Sequence, residues 1–316
     1  MLADETRPIP VAGMEPVSQW DGPIASGNFM GRPDEELLAP LITGKLVSVK
    51  FNRGGSSISL RLTFDNGERA AFKPRQTNYQ TVPRKEVAAY RISRLVGLES
   101  VQPAVGRSFK MSELLGKLRP DSGRYAKRLR SEMLAKKGVV TGEMSWWIPV
   151  IKPARIDGFP IDQVAGIVSW KRRLKVGGKV PADQASMLAQ LSNLLVFDFL
   201  INNPDRWSGG NAKASEDGEI LYFMDNTMSF GPHPRAARKV RLYLQRTQTF
   251  SRDLVDKLRA LDEDLVIRAL KEDVGPFDFL LTDVEIDAMF SRRAILLAYV
   301  DELIAEHGEQ AVLVFP

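Results

Sequence analysis

Four charged residues, spread over most of the chain, have the types and the order that phosphoryl transfer requires. Lys73 ends an apolar stretch, and Glu86 follows thirteen residues later in the first turn of an amphipathic segment. Asp205 lies in a polar loop, and Asp225 follows twenty residues later between apolar side chains. A lysine and metal-binding carboxylates neutralise a transferring phosphate, and an aspartate can accept the proton of the attacking hydroxyl. The set therefore predicts a kinase-type active site.

Each of these residues also has a plain structural explanation. Lys73 can extend from a strand edge into water. Glu86 complements the dipole at the start of a helix. Asp225-Asn226 suits a type I′ hairpin turn. These alternatives stay open for each residue alone, whereas the ordered combination favours an active site.

Two further features belong to the predicted site. One is a small-residue turn between two strands, whose backbone N–H groups can hold phosphate oxygens. It consists of Gly54, Gly55, Ser56 and Ser57. A hairpin tip that binds nothing is its alternative. The other is Asn211, six residues after Asp205, which we expect either to ligate a metal or to orient Asp205.

The elements that must position Lys73 and Glu86 are readable from the pattern. The predicted strands cover residues 46–51, 58–64 and 68–74, and the predicted helix covers residues 84–98. Asp65-Asn66-Gly67 is a strong hairpin signal, and Gly97 is the expected stop of the helix. A three-stranded antiparallel meander followed by a helix is therefore predicted for this part of the chain.

The second half is mainly helical in its pattern. Predicted there are a strand over 141–151, a basic loop over 171–179, a buried helix over 182–201, a hairpin over 219–230 around Asp225-Asn226, and helices over about 251–310 with an amphipathic run from Asp283 to His307. Strands first and helices later predict an α+β, two-lobed protein with a small antiparallel β lobe. The predicted domains are an extended arm over 1–45, an N-lobe over 46–151 and a C-lobe over 152–316.

Composition excludes several classes of protein. The 316 residues contain no cysteine and two histidines, so thiol catalysis, iron–sulfur clusters and histidine-rich metal cages are excluded. A net charge of +5 is compatible with acidic partners, but the basic residues are not interleaved with aromatics, so nucleic acid is not expected as a partner. No membrane span and no secretory signal are visible. A cytoplasmic location is therefore expected, or export if a signal was removed.

The motifs together resemble a known group of kinases. They are GGSSISLRLTFDNGERAAFKP, KEVAAYRISRLVGLESVQPAVGR, FDFLINNPDRW and LYFMDNTMSFG. The chain resembles the secretory-pathway kinases of the "family with sequence similarity 20" group, which includes Golgi casein kinase and glycosaminoglycan xylosylkinase. The resemblance implies an atypical two-lobed kinase fold, ATP and Mn²⁺ or Mg²⁺ as cofactors, and a protein or glycan acceptor.

The resemblance also implies a role for each residue. Lys73 would bind phosphate, Glu86 would pair with it and help to hold the metal, Asp205 would be the catalytic aspartate, and Asp225 would be the main metal ligand. Asn203 and Asp198 would brace the catalytic loop, and Ile148 would line the adenine pocket.

The chain departs from the group at several positions. It lacks the cysteines, which suggests a simpler, microbial relative. Trp207-Ser208 and Thr227 stand where the group has a histidine pair and a glycine, and a lysine of the second strand is replaced near Ser59. These changes leave the acceptor open between a protein Ser or Thr, a glycan and another small molecule. The basic segments are compatible with an acidic acceptor, and their alternative is a solvated surface. The changes also keep two alternatives to phosphorylation open: a nucleotide-binding pseudokinase that activates a partner, and AMP transfer on the same scaffold.

Overall fold

The N-terminal half of the protein is built on one antiparallel sheet, in which not all neighbouring strands are consecutive in the chain. The computed structural model describes residues 27–208, 210–231 and 234–316, with no side-chain description for 234–236. The elements of this half are β1 (Asn28–Phe29), β2 (Arg32–Pro33), α1 (Asp34–Thr43), β3 (Leu46–Phe51), β4 (Leu60–Phe64), β5 (Arg69–Pro74), α2 (Pro83–Leu95), β6 (Ala104–Lys110), α3 (Met111–Gly116), a 3₁₀ turn (Pro120–Tyr125), α4 (Ala126–Glu132), β7 (Ala135–Lys136) and β8 (Val139–Trp146). The main sheet has the order β3-β4-β5-β8-β6.

The meander β3–β4–β5 forms as the alternating pattern predicted. Phe64 and Glu68 close the β4–β5 turn through a backbone hydrogen bond of 2.9 Å, and Gly67 takes a positive φ of 85° there. Strand β8 then pairs with β5, so that Lys73 lies opposite Glu143. The sheet thus places Lys73 on its third strand, next to a strand contributed from much later in the sequence.

Helix α2 packs on this sheet and ends close to the predicted position. Gly97 has a φ of 72°, and the N–H of Leu98 donates back to the carbonyl of Ser93. This is the glycine-based termination expected after a helix. Most of α2 is buried, including Glu86 in its first turn. The helix therefore carries a carboxylate into the interior of the protein.

The predicted extended arm is wrong for the part of it that the structure describes. Residues 34–43 form helix α1, whose apolar residues Leu37, Leu38 and Leu41 are buried on one face. Acidic residues in its first turn complement the helix dipole. Pro40 lies inside the helix and gave the sequence a non-helical appearance. Residues 1–26 of the predicted arm lie outside the described residues.

The C-terminal half is mainly helical. Its elements are β9 (Lys152–Pro153), β10 (Arg155–Ile156), β11 (Phe159–Pro160), α5 (Val164–Arg173), a 3₁₀ turn (Ala182–Gln184), α6 (Ala185–Leu200), β12 (Lys213–Ala214), β13 (Leu221–Tyr222), α7 (Pro234–Leu244), α8 (Arg252–Ala260), α9 (Glu263–Lys271), α10 (Asp283–His307) and α11 (Glu309–Val312). Helix α6 is the central buried helix of this lobe, as predicted, and α10 covers the predicted amphipathic run. A sheet-based lobe followed by a helical lobe is the two-lobed α+β arrangement that the sequence predicted.

Two local predictions in this half are wrong. The basic loop predicted over 171–179 begins as the last turn of α5, where cations complement the negative end of the helix dipole. The hairpin predicted around Asp225-Asn226 does not form, because β13 pairs with β12 rather than with residues after Asn226. Asp225 lies outside any strand, in a backbone conformation with a positive φ of 64°.

Among the described residues, one large hydrophobic core runs through both halves, with a small second cluster of Phe29, Leu37, Ile148 and Tyr222. Within the described ranges, no helix is long and apolar enough to cross a bilayer.

Candidate active site

Lys73 at the end of β5 contacts Asp225 of the other lobe. The two side chains form an ion pair with Nζ and Oδ1 2.5 Å apart. Burial alone would lower the pKa of Lys73, but neighbouring carboxylates, Asp225 foremost, outweigh it and raise that pKa above its ordinary value. The neighbouring carboxylates therefore favour the cationic form of Lys73, whose side chain is 13% exposed.

Asp225 is the more accessible member of this pair. Burial would raise its pKa, but the charge and the hydrogen bond of Lys73 hold the pKa of Asp225 below its ordinary value. Thr227 also donates from its hydroxyl to Oδ1, at 3.2 Å. About a third of the Asp225 side chain remains exposed, so the carboxylate is accessible to a ligand.

Glu86 does not form the predicted direct ion pair with Lys73. Among the described residues, no nitrogen–oxygen contact within 4.0 Å joins these two side chains. Instead, Glu86 accepts the backbone N–H of Asn226 at 2.6 Å and its side-chain amide at 2.9 Å. Burial raises the pKa of Glu86, while the nearby charge of Lys73 opposes that rise. The helix carboxylate is thus tied to the residue that follows Asp225.

Asn226 makes contacts in the candidate site that sequence reasoning missed. Its fully buried side chain donates to the carbonyl of Phe223 at 2.8 Å as well as to Glu86. Its Oδ1 accepts from Asn203 at 3.1 Å and from Arg206 at 2.8 Å. It therefore connects helix α2 to the loop that carries Asp205. The sequence leaves Asp225-Asn226 open between a type I′ turn and a metal-binding Asp225, and neither reading assigns a role to the Asn226 side chain.

Asp205 lies in a loop held by several hydrogen bonds. Asn211 donates from its amide to Oδ2 of Asp205 at 2.9 Å, and Ser208 donates to Oδ1 at 2.8 Å. Asn203 accepts the N–H of Asp205 at 3.1 Å and donates to the backbone carbonyl of Asp225 at 3.3 Å. Of the two roles expected for Asn211, this geometry favours orienting Asp205. A single asparagine, Asn203, joins the two aspartates.

A buried ion pair holds the loop that carries Asp205 against helix α6. Arg206 contacts Asp198 of α6 with a nitrogen–oxygen distance of 3.2 Å, and Arg206 also donates to the carbonyl of Met224. Burial raises the pKa of Asp198 to about 6, and the charge of Arg206 opposes that rise. Arg206 thereby links α6, the Asp205 loop and the Asp225 segment.

Glu143 is a second residue that sequence reasoning missed. It is buried on β8 opposite Lys73 and accepts a hydrogen bond from Ser145 at 2.8 Å. Burial, together with the charge of Glu86, raises the pKa of Glu143 well above its ordinary value. Its position as the one charged residue of β8 was the available signal. The charges of Asp225, Glu86 and Glu143 all raise the pKa of Lys73, so the three acids lie near its ammonium group.

The other two predicted features lie differently. The glycine-serine turn is exposed, Gly54 and Gly55 have positive φ, and Arg128 donates to the carbonyl of Ser56 at 2.8 Å. Within the described part of the chain, its side chains form no hydrogen bond with the four charged site residues. Ile148 is packed into the small cluster with Phe29. Its side chain is buried there, and its place at an adenine pocket stays a prediction.

The donor set fits a divalent cation that shares its ligands with phosphates. Asp225 and Glu86 supply carboxylate oxygens from the two lobes. Considering only the residues that the structure describes, no three His, Cys, Asp or Glu side chains lie close enough to enclose a metal ion. Mg²⁺ is commonly held by one or two carboxylates together with substrate phosphates rather than by a full protein cage.

The fold and the gathered residues define a protein-kinase-like protein, and comparisons with known proteins narrow the class. A family model described as "Golgi casein kinase, C-terminal, Fam20" matches residues 172–312. Human glycosaminoglycan xylosylkinase is 22% identical over 310 residues, covering 87% of this chain and 76% of the relative. Human extracellular serine/threonine protein kinase FAM20C is 23% identical over 331 residues, covering 88% of this chain and 56% of the relative.

One of the relatives is named a pseudokinase. Mouse pseudokinase FAM20A is 23% identical over 315 residues, covering 82% of this chain and 56% of the relative. The crystal structure of the Golgi casein kinase with Mn/ADP bound matches with a TM-score of 0.68 and 20% identity, covering 89% of this chain and 78% of that one. These matches confirm the resemblance to the Fam20 group and the kinase-like fold, and they support the prediction of a kinase-class enzyme.

Proposed function

We propose that this protein is an ATP- and divalent-metal-dependent kinase that transfers the γ-phosphate to a hydroxyl group. The observation that carries the proposal is the Lys73–Asp225 contact, which joins the two lobes at 2.5 Å. Asn203 then ties Asp225 to Asp205. A phosphate-binding cation, a metal-suited carboxylate and a candidate base are therefore neighbours. For this function we retain the predicted lobes over 46–151 and 152–316.

Each residue has a defined task in this reaction. Lys73 holds nucleotide phosphates by charge, and Asp225 and Glu86 hold the metal. The cation, Mn²⁺ or Mg²⁺, supplies charge neutralisation on the phosphates when bound. Asp205 accepts or orients the proton of the acceptor hydroxyl, and Asn211 fixes its carboxylate. Catalysis of this kind is mainly positioning and electrostatics.

The names of the relatives support the choice of cofactors. A Golgi casein kinase structure contains Mn/ADP, and that protein has the same fold as this one. We therefore assign ATP as the donor and Mn²⁺ or Mg²⁺ as the metal. The backbone N–H groups of the exposed turn over 54–57 are the candidates for hydrogen bonds to the phosphates.

Basic residues lie beside the catalytic loop. Helix α7 lies beside the catalytic loop, because Lys239 donates to the carbonyl of Pro204 at 2.6 Å and Tyr243 stacks on Trp207 with ring centroids 4.4 Å apart. Arg238 and Arg241 are exposed on the same helix. This charge supports an acidic acceptor, either a protein Ser or Thr or an anionic glycan.

Transfer of labelled phosphate tests the proposal directly. The full chain is incubated with Mn²⁺ or Mg²⁺ and ATP labelled at the γ-phosphate, with a casein-type acidic protein and a xylose-containing glycoside as acceptors. We expect metal-dependent labelling that Asp225→Asn abolishes and the exposed-surface control Asp264→Asn retains. Label transferred from ATP labelled at the α-phosphate would instead indicate AMP transfer. Nucleotide binding without any transfer would indicate a pseudokinase, the class named for one relative, and would refute the kinase proposal.

A further inference from the structure

Helix α2, which carries Glu86, is fastened to the rest of the protein by its basic residues. Four of them, Arg84, Lys85, Arg91 and Arg94, have partners outside the helix. A helix held at both ends cannot shift without breaking charged hydrogen bonds in a largely buried environment, where losing one partner is costly. The position of Glu86 therefore depends on these partners.

The two basic residues that precede Glu86 in the sequence both bind one carboxylate, Glu285 of α10. Arg84 donates to its two oxygens at 2.8 and 3.1 Å, and Lys85 lies 3.0 Å from Oε1. These two cations directly precede Glu86 in the sequence. Arg84 also donates to the carbonyl of Leu280. One C-lobe carboxylate thus holds the start of α2 by two adjacent side chains.

Glu285 is itself held in place. Thr282 and Glu285 form a reciprocal capping box at the start of α10, with the N–H of Thr282 donating to Oε2 at 2.9 Å. Glu285 is 8% exposed. A carboxylate fixed by its own helix start is suited to fixing a second helix.

We propose that Glu285 is a positioning residue for the metal site: by holding Arg84 and Lys85 it keeps Glu86 in place against Asn226. The inference rests on the proposed function for its meaning in catalysis, whereas the contact itself is independent of the reaction. Glu285 touches neither substrate nor the reacting atoms, so its effect is indirect. The sequence does not predict this contact, because Glu285 lies about two hundred residues from Glu86.

The far end of α2 offers a matched control. Arg94 pairs with Asp34 of α1, with a nitrogen–oxygen distance of 2.6 Å, and both side chains are buried. Tyr90 also donates to Asp34, at 3.0 Å. This pair fastens the same helix about two turns away from Glu86. Loss of Asp34 should therefore destabilise the fold without moving the metal ligand.

The experiment compares Glu285→Gln with Asp34→Asn in the full chain. Gln retains the side-chain shape and a capping-box acceptor while removing the charge. We expect Glu285→Gln to raise the Mn²⁺ concentration for half-maximal activity roughly tenfold, as loss of an outer-shell partner does at metal sites, with the acceptor KM unchanged. Asp34→Asn should lower Tm without this shift. Glu285→Asp, which keeps the charge, should restore part of the metal affinity, and the milder Arg84→Lys should weaken it in the same direction.

Hydrogen exchange provides a readout that needs no activity. Glu285→Gln should accelerate exchange at the amides of residues 86–89, whereas Asp34→Asn should act on residues 90–98, which include its partners Tyr90 and Arg94. Equal changes in metal dependence for the two variants, or exchange that rises evenly along α2, would overturn the inference. If the wild type transfers no phosphate, the proposed function fails, and the local exchange pattern alone decides whether Glu285 positions Glu86.

Discussion

Asn226 holds Glu86 with two hydrogen bonds, one from its backbone N–H at 2.6 Å and one from its side-chain amide at 2.9 Å. The carboxylate of α2 is therefore positioned by the segment that carries Asp225 rather than by Lys73. Lys73 is left to contact Asp225 itself. These two contacts between the lobes, Glu86 with Asn226 and Lys73 with Asp225, both lie at the candidate metal site.

Replacing Asn226 tests this arrangement. Asn226→Ala removes the side-chain amide from Glu86 and leaves buried polar partners without hydrogen bonds, each at a cost of about 1–3 kcal/mol. We expect a lower free energy of unfolding in urea and a loss of activity greater than the stability loss explains. Asn66→Ala, in the exposed β4–β5 turn, is the control. Activity close to wild type in folded Asn226→Ala protein would contradict the role given to this residue.

Asp225→Asn tests the metal ligand. The isosteric change removes the charge that Lys73 balances and that a divalent cation requires. We expect phosphate transfer to fall by at least about a hundredfold and the Mn²⁺-dependent rise in Tm with ADP to disappear. Asp264→Asn, an exposed change on α9, should behave like wild type. An unchanged Mn²⁺ response in Asp225→Asn would show that the metal binds elsewhere.

Asp205→Asn and Asn211→Ala separate the base from its support. Asp205→Asn removes the carboxylate that accepts the hydroxyl proton. It should lower kcat by a factor of about 10²–10⁴ and leave the thermal shift caused by Mn²⁺ and ADP intact. Asn211→Ala should lower kcat less, because Ser208 still holds one oxygen of Asp205. Steady-state kinetics with both variants measure this difference. Loss of nucleotide binding in Asp205→Asn would instead place Asp205 among the phosphate or metal ligands.

The Glu285 contacts predict a pH dependence of stability. Burial opposes ionisation, but Arg84, Thr282 and Lys85 together lower the pKa of Glu285 from its ordinary value of 4.5 to about 2. A depressed carboxyl pKa contributes stability that is present above pH 4.5 and lost as the pH falls towards 2. Solvent screening reduces this contribution to about 1–2 kcal/mol.

The measurement is urea unfolding of wild type and Glu285→Gln at pH 7, 5 and 3. We expect the difference in the free energy of unfolding to be constant at pH 7 and 5 and smaller at pH 3. A difference that grows on acidification would contradict the depressed pKa.

The sequence predicted the main elements of the fold because their signals are local. The alternation of apolar and polar residues predicted the strands of the meander, and Asp65-Asn66-Gly67 predicted the turn between β4 and β5. Apolar spacing gave the long helices, α10 among them. Helix α1 was missed because Pro40 masks its apolar face. The hairpin around Asp225 was wrong because strand pairing depends on a partner, β12, that the local pattern does not specify.

For the candidate site, the sequence indicated which charges belong together but not how they pair. Lys73, Asp205 and Asp225 were recognised by type and order. The contacts of Asn226, and the position of Glu143 opposite Lys73, depend on register and on packing between lobes, which no short segment encodes. Glu285 was missed for the same reason: its partners on α2 lie in a distant part of the chain.

The most direct test of the account is a crystal structure with Mn²⁺ and a non-hydrolysable ATP analogue, measured for anomalous scattering from manganese. We expect a manganese peak within ligand distance of the Asp225 and Glu86 carboxylates, with the phosphates at Lys73 and the γ-phosphate facing Asp205. A bound nucleotide whose manganese lies away from both carboxylates would contradict the account.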